Sequence, residues 1–159
     1  MRKAPQSLFS LARANKGTSA IEFGFMGLIL AALIVGVIDF GVGLWEDMQV
    51  ANAAEAGAAF ASVKGWNATA ADIESVVTTT TGLSTITASP APWIMSCGCP
   101  NANSTAITEV ACGTTCTDNS EAGHYWVVSA EDSYSMFLPY PGIANPMTLN
   151  ATSYARLYP

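Results

Sequence analysis

The stretch "GTSAIEFGFMGLILAALIVGVIDFGVGLW", Gly17–Trp45, separates a basic segment from an acidic one and carries two acids, Glu22 and Asp39. From Phe23 to Ile38 there is no charge, and between Phe23 and Trp45 the only charged residue is Asp39. As a helix, Phe23–Trp45 would rise about 34 Å at about 1.5 Å per residue, enough to cross a hydrocarbon core of about 30 Å. A cleavable secretory signal has a shorter apolar run, about 7–15 residues, closed by a small-residue cleavage site. The alanines Ala51, Ala53 and Ala54 lie well past this one, so the stretch predicts a retained membrane anchor. Trp45 suits a membrane interface, and Asp39, about 24 Å along the helix from Phe23, is expected to lie close enough to that interface to be hydrated.

Working outward, the charge is divided by this stretch. Arg2, Lys3, Arg13 and Lys16 all precede Gly17, whereas beyond it Lys64 and Arg156 stand against all 12 acids of the 159-residue chain. The positive-inside rule then predicts a cytoplasmic Met1–Gly17 and an acidic remainder on the other side. Nucleic acid is excluded as a partner, since its binding rests on Lys and Arg neutralising phosphates. Only 11% of the residues are charged, against about 25% in an ordinary soluble domain, which agrees with a membrane-bound or assembled protein. Ala20 with Gly24 and Ala32 with Gly36 are small residues four apart, a spacing that permits close helix approach but is common in any membrane helix.

Apolar residues keep helical spacing past Trp45, through Met48, Val50, Ala51, Ala54, Ala58 and Ala61. Their pattern predicts one helix from about Ile21 to Val63, with Gly65 as its stop. Thr69 with Asp72 reads as the start of a short helix carrying Ile73, Val76 and Val77. Beyond Gly82 the composition turns to Ser, Thr, Pro and Gly. A strand is expected over Leu83–Ala88, with Pro90 and Pro92 as breakers after it. Two antiparallel strands are expected over His124–Met136 and Met147–Leu157, joined by "PYPGIANP", Pro139–Pro146.

Cys97, Cys99, Cys112 and Cys116 form an even set in a loop-rich region on the non-cytoplasmic side, so two disulfides are expected. A Cys97–Cys99 bond would be too tight, and each of that pair is expected to cross to Cys112 or Cys116, the connectivity being open. The competing arrangement is a four-thiolate zinc site, which an oxidising compartment disfavours; no metal or cofactor is expected. His124, the one histidine, is accompanied by no nucleophile elbow, and it reads as a strand residue beside Tyr125 and Trp126. No catalytic residue is assigned.

Gly17-Thr18-Ser19-Ala20-Ile21-Glu22-Phe23, set between a basic leader and a span, resembles the processing site of type IV prepilins and pseudopilins. Within that group, Ile21-Glu22-Phe23, Asp39-Phe40-Gly41, Asn52-Ala53-Ala54 and Gly57-Ala58 are similar to the start of the TadE-like proteins of the tight-adherence (Flp) pilus system. Many relatives carry arginines in the last of these segments, where this chain has Glu55, Ala56 and Ala59. The resemblance implies cleavage after Gly17 by a prepilin peptidase, a new terminus at Thr18, and Glu22 as the fifth residue of the mature chain. It also implies a non-enzymatic pseudopilin or minor pilin of the bacterial inner membrane, single-pass, with the major pilin, other pseudopilins and an inner-membrane assembly platform as partners. Glu22 and Asp39 are the expected assembly residues.

The fold expected is α+β and pilin-like. It divides into a basic cytoplasmic leader (1–17), a transmembrane and extended helix (18–65) and a periplasmic disulfide-stapled antiparallel β domain (66–159). The competing expectation is an unprocessed, signal-anchored periplasmic binding or scaffold subunit of another envelope complex. Mass spectrometry of the amino terminus separates the two.

Overall fold

A computed structural model of the protein describes residues 16–101 and 106–158. The leader cations Arg2, Lys3 and Arg13 lie outside the described residues. A single helix, α1, runs over Lys16–Lys64 and is followed by a 3-10 turn, Gly65–Asn67, and a second helix, α2, over Ala70–Thr79. Four strands follow among the described residues: β1 (Trp93–Pro100), β2 (Ile107–Glu109), β3 (Gly123–Tyr134) and β4 (Met147–Leu157). They form one antiparallel sheet in the order β2-β1-β3-β4. The architecture is α+β, a long apolar helix followed by a small antiparallel sheet with two disulfides, as the sequence predicts.

Two compact units are distinguished, Met1–Phe40 and Gly41–Pro159, and their boundary falls within α1. In the first unit the apolar side chains of the helix are exposed all round, among them Ile21, Phe23, Phe25, Leu28, Leu33 and Val37. The helix has a mean hydropathy of 2.5 over its most apolar window, none of it buried, and is compatible with a single-pass membrane anchor. A helix apolar on every side needs an apolar solvent.

In the second unit the helix becomes one-sided. Val50, Ala53, Ala54, Ala58 and Ala61 recur at three- and four-residue spacing and are buried together with Ile73 and Val77 of α2. The opposing surface comes from alternate residues of the long hairpin: Trp126, Val128, Ala130 and Tyr134 on β3, Leu149, Ala155 and Leu157 on β4. β3 runs antiparallel along α1. The Trp126 indole N–H donates to Gly65 O at 3.4 Å at one end, and the Tyr134 ring lies 3.1 Å from where a Gly43 Cβ would stand at the other. β3 and β4 pair without a break from His124↔Leu157 to Tyr134↔Met147. A smaller cluster of Met95, Tyr125 and Val127 occupies the other face of the sheet.

The local signals account for the element ends. Gly65 adopts φ +58, a left-handed conformation that stops α1 and that a side chain would strain. Thr69 caps α2, its side chain accepting from the Asp72 N–H at 3.2 Å.

One expectation needs correction. Leu83–Ala88 is no strand: only Thr87 bridges to Glu131, through N–H···O bonds of 2.9 and 2.8 Å. β1 starts at Trp93, directly after the expected breakers Pro90 and Pro92. Thr87 and Trp93 face the same edge of β3, Thr87 opposite Glu131 and Trp93 opposite Val127. Pro90 and Pro92 remove two amide donors between them and so divide what would be one strand into a bridge and β1.

Candidate assembly and processing site

Gly17 and Thr18 lie at the start of α1 as described, Lys16–Lys64. A Cβ on Gly17 would meet nothing within 4 Å. Glycine there weakens the turn by about 0.5–1 kcal/mol relative to alanine, so the Gly17–Thr18 bond is among the easiest in the helix to draw out as extended chain. Glu22 and Phe23 follow on the same helix, both exposed. Thr18 and Glu22 are four apart, about one helical turn from each other.

Asp39 departs from expectation. It is fully buried, not hydrated. A carboxylate near a hydrocarbon boundary is costly when it faces lipid and less so when it is enclosed by protein polar groups, which is the environment intramembrane acids ordinarily occupy. Glu22 and Asp39 are separated by about 26 Å along the helix, so they belong to two places and not to one site.

Glu46 lies one residue beyond Trp45. Its partial burial, and then the nearby Asp132 carboxylate, raise its pKa above the ordinary value for a glutamate. Because the folded state holds the proton more tightly, this residue weakens folding at neutral pH, and the weakening is relieved as pH falls through the raised pKa. Glu46→Gln is therefore expected to raise the unfolding temperature of the detergent-solubilised protein at pH 7, by no more than a few tenths of a kcal/mol for so accessible a group. The gain should shrink toward pH 5; a gain that stayed constant with pH would contradict the cause given.

The cysteines pair as Cys97–Cys112 and Cys99–Cys116, with Cα atoms 5.2 and 5.5 Å apart. This fixes the connectivity that spacing left open. Cys97 and Cys99 are two apart on β1, so both side chains project to one side of the strand and meet the loop after β2. That loop is held by its own turns. Val110 N–H donates to Cys97 O at 3.0 Å, and Asp118 accepts from the Ser120 N–H and hydroxyl at 3.0 and 2.7 Å. These two bonds hold the Asp118 carboxyl below its ordinary pKa.

His124 is a half-buried residue of β3, with its ring edge-on to Trp66 at 5.1 Å between centroids. Its ring and the sulfurs of Cys97 and Cys112 offer ligand atoms within 4.8 Å of one another, but the two sulfurs are bonded to each other. Zinc is held by thiolates, and a disulfide supplies none.

What sequence reasoning missed are the packing of Gly57 where α1, α2 and β3 meet, and the apolar exposure of the tip between β3 and β4. The tip had a readable signal: no charged residue occurs between Asp132 and Arg156.

Compared with known proteins, residues 17–59 match the family model described as TadE-like protein. No curated protein and no solved structure matches the chain. The matched segment contains Gly17, Glu22 and Asp39 and ends within the core-forming half of α1. Together, this match and the apolar helix support a membrane-anchored, pilus-related protein.

Proposed function

We propose that this chain is a pseudopilin or minor pilin of a tight-adherence (Flp) pilus system, processed after Gly17 and serving assembly, not catalysis. The observation that carries the reading is Glu22. It is an exposed acid on a helix otherwise lined with apolar residues, five positions past Gly17 and inside the TadE-like match.

The chain sits in the bacterial inner membrane with residues 1–17 as a cytoplasmic basic leader and residues 66–159 in the periplasm. A prepilin peptidase removes the leader after Gly17 and leaves Thr18 with a free α-amino group, cationic at neutral pH. That ammonium stands one helical turn from Glu22 of its own chain. When two helices lie side by side, each ammonium also meets the neighbour's carboxylate. In a poorly solvated environment neither charge is stable alone, so the pairing selects one axial register between a subunit and the major pilin or another pseudopilin. The inner-membrane platform would then act on correctly registered helices.

Two measurements test this. Protein extracted from its native membranes is expected to begin at Thr18 by mass spectrometry; an intact leader would instead favour an unprocessed scaffold subunit. Glu22→Ala is expected to be cleaved and inserted normally while its crosslinks to neighbouring subunits fall by at least about tenfold, the loss that about 1.4 kcal/mol produces. Normal crosslinking by this variant would refute the register mechanism.

A further inference from the structure

We propose that the β3–β4 tip, Phe137–Ile143, is a second membrane contact, resting on the lipid surface beside the point where α1 enters the bilayer. The inference rests on reading Phe23–Trp45 as the span and concerns a different part of the chain.

The first argument is position. β3 tracks α1 from Gly65 toward the span: Trp126 bonds to Gly65, Val128 packs at Gly57, Asp132 acts on Glu46, and Tyr134 packs at Gly43. The strand therefore delivers its last residues to the level of Gly43 and Trp45, the domain-side end of the span. The tip follows Tyr134 directly, at the Gly43 end of the strand.

The second argument is chemistry. Phe137 is 74% exposed, Leu138 41% and Ile143 39%, and on α1 at the same level Leu44 is 67% and Trp45 49% exposed. No charge occurs between Asp132 and Arg156, so nothing in the tip opposes entry into a headgroup layer. Trp45 is the residue type that favours that layer. The acids Glu46, Asp47, Glu131 and Asp132 precede the tip on both elements, which suits a neutral lipid surface and not an anionic one.

The third argument is order. Asn145 clamps the two ends of the tip together, its Oδ1 accepting from Met136 N–H at 3.0 Å and its Nδ2 donating to Met136 O at 3.2 Å. Met136 is itself buried in the core. Gly142, at φ +84, turns the chain, and Ile143 N–H donates to Tyr140 O at 3.2 Å. The apolar residues are thus presented by a closed loop, and little ordering entropy opposes their insertion.

The test uses the full chain in phosphatidylcholine nanodiscs holding one copy each. All four native cysteines are paired, so a spin label on Phe137→Cys or Ile143→Cys reports one site. Leu33→Cys in the span and Asn119→Cys in the disulfide loop are the lipid and water references. Both tip labels are expected to collide with a water-soluble nickel complex at least about tenfold less often than the Asn119 label, and to approach the Leu33 label in oxygen accessibility. A water-like signal at either tip position, with Leu33 lipid-like, overturns the proposal and leaves the span intact. Protection seen only in discs holding several copies also overturns it, since another copy then covers the tip. A water-like Leu33 label would refute the span and the proposal together.

Discussion

Gly57→Val is expected to destabilise the Gly41–Pro159 unit by at least about 3 kcal/mol, seen as an early loss of near-ultraviolet circular dichroism on heating the solubilised protein. A Cβ at residue 57 would stand 2.7 Å from Val77 Cγ2, 2.8 Å from Val128 Cγ1 and 3.3 Å from Ile73 Cγ2. Real Cβ atoms do not approach that closely, and all three neighbours are fully buried, with no flexible end to swing aside. α1, α2 and β3 would have to separate around the new side chain. Gly57→Ala adds one methyl group, and its helix propensity returns about 1 kcal/mol of the overpacking cost, so a net loss of about 1–2 kcal/mol is expected. Combined with Val77→Ala, Gly57→Ala should cost less than the sum of the two single changes by about 1 kcal/mol, because the second change removes one of the two closest contacts and leaves that to Val128. If Gly57→Val unfolded at the wild-type temperature, the close approach of these three elements would be refuted.

Replacing all four cysteines by serine is expected to unfold the β1–β2 edge and the loop after it while leaving the α1–α2–β3–β4 core folded. The bridges close loops of 15 and 17 residues, and each is worth about 3 kcal/mol by loop-closure entropy. They interleave along the chain, so their effects will not add simply. The apolar support beneath this edge is small: Met95, Tyr125 and Val127, with Ile107 and Tyr154 partly buried against them. β2 contributes three residues, and the loop beyond it is held by turn hydrogen bonds open to water. Such a region has few contacts with which to offset its conformational entropy once the bridges are gone. Hydrogen exchange should show amides at 97–100 and 107–122 losing protection while Val128 and Ala155 retain theirs. Loss of protection at Val128 to the same extent would mean that the bridges stabilise the whole unit.

The parts legible in the sequence are those governed by local periodicity. α1 was readable because one residue pattern, apolar all round and then apolar at three- and four-residue spacing, runs without interruption to Gly65. The Thr69 cap and the β3–β4 hairpin were readable for the same reason. β1 was not, because Ser96-Cys97-Gly98-Cys99 has no strand propensity of its own; long-range pairing and two bridges hold it straight. Leu83–Ala88 misled in the opposite sense, being β-like in composition but cut off from the sheet by Pro90 and Pro92. At the candidate site, Gly17 and Glu22 were visible as sequence spacing, whereas the burial of Asp39 was not. Whether an acid meets water or protein depends on what stands opposite it, and no sequence window contains that.

The family-like segment ends at residue 59, yet Val50, Ala53, Ala54, Gly57 and Ala58 all fall inside it and furnish one wall of the globular unit. The anchor is therefore not a handle to which any cargo can be attached. A different distal domain grafted onto this stalk would have to bring a strand whose side chains fit a row of alanines around a single glycine, or leave that row wet.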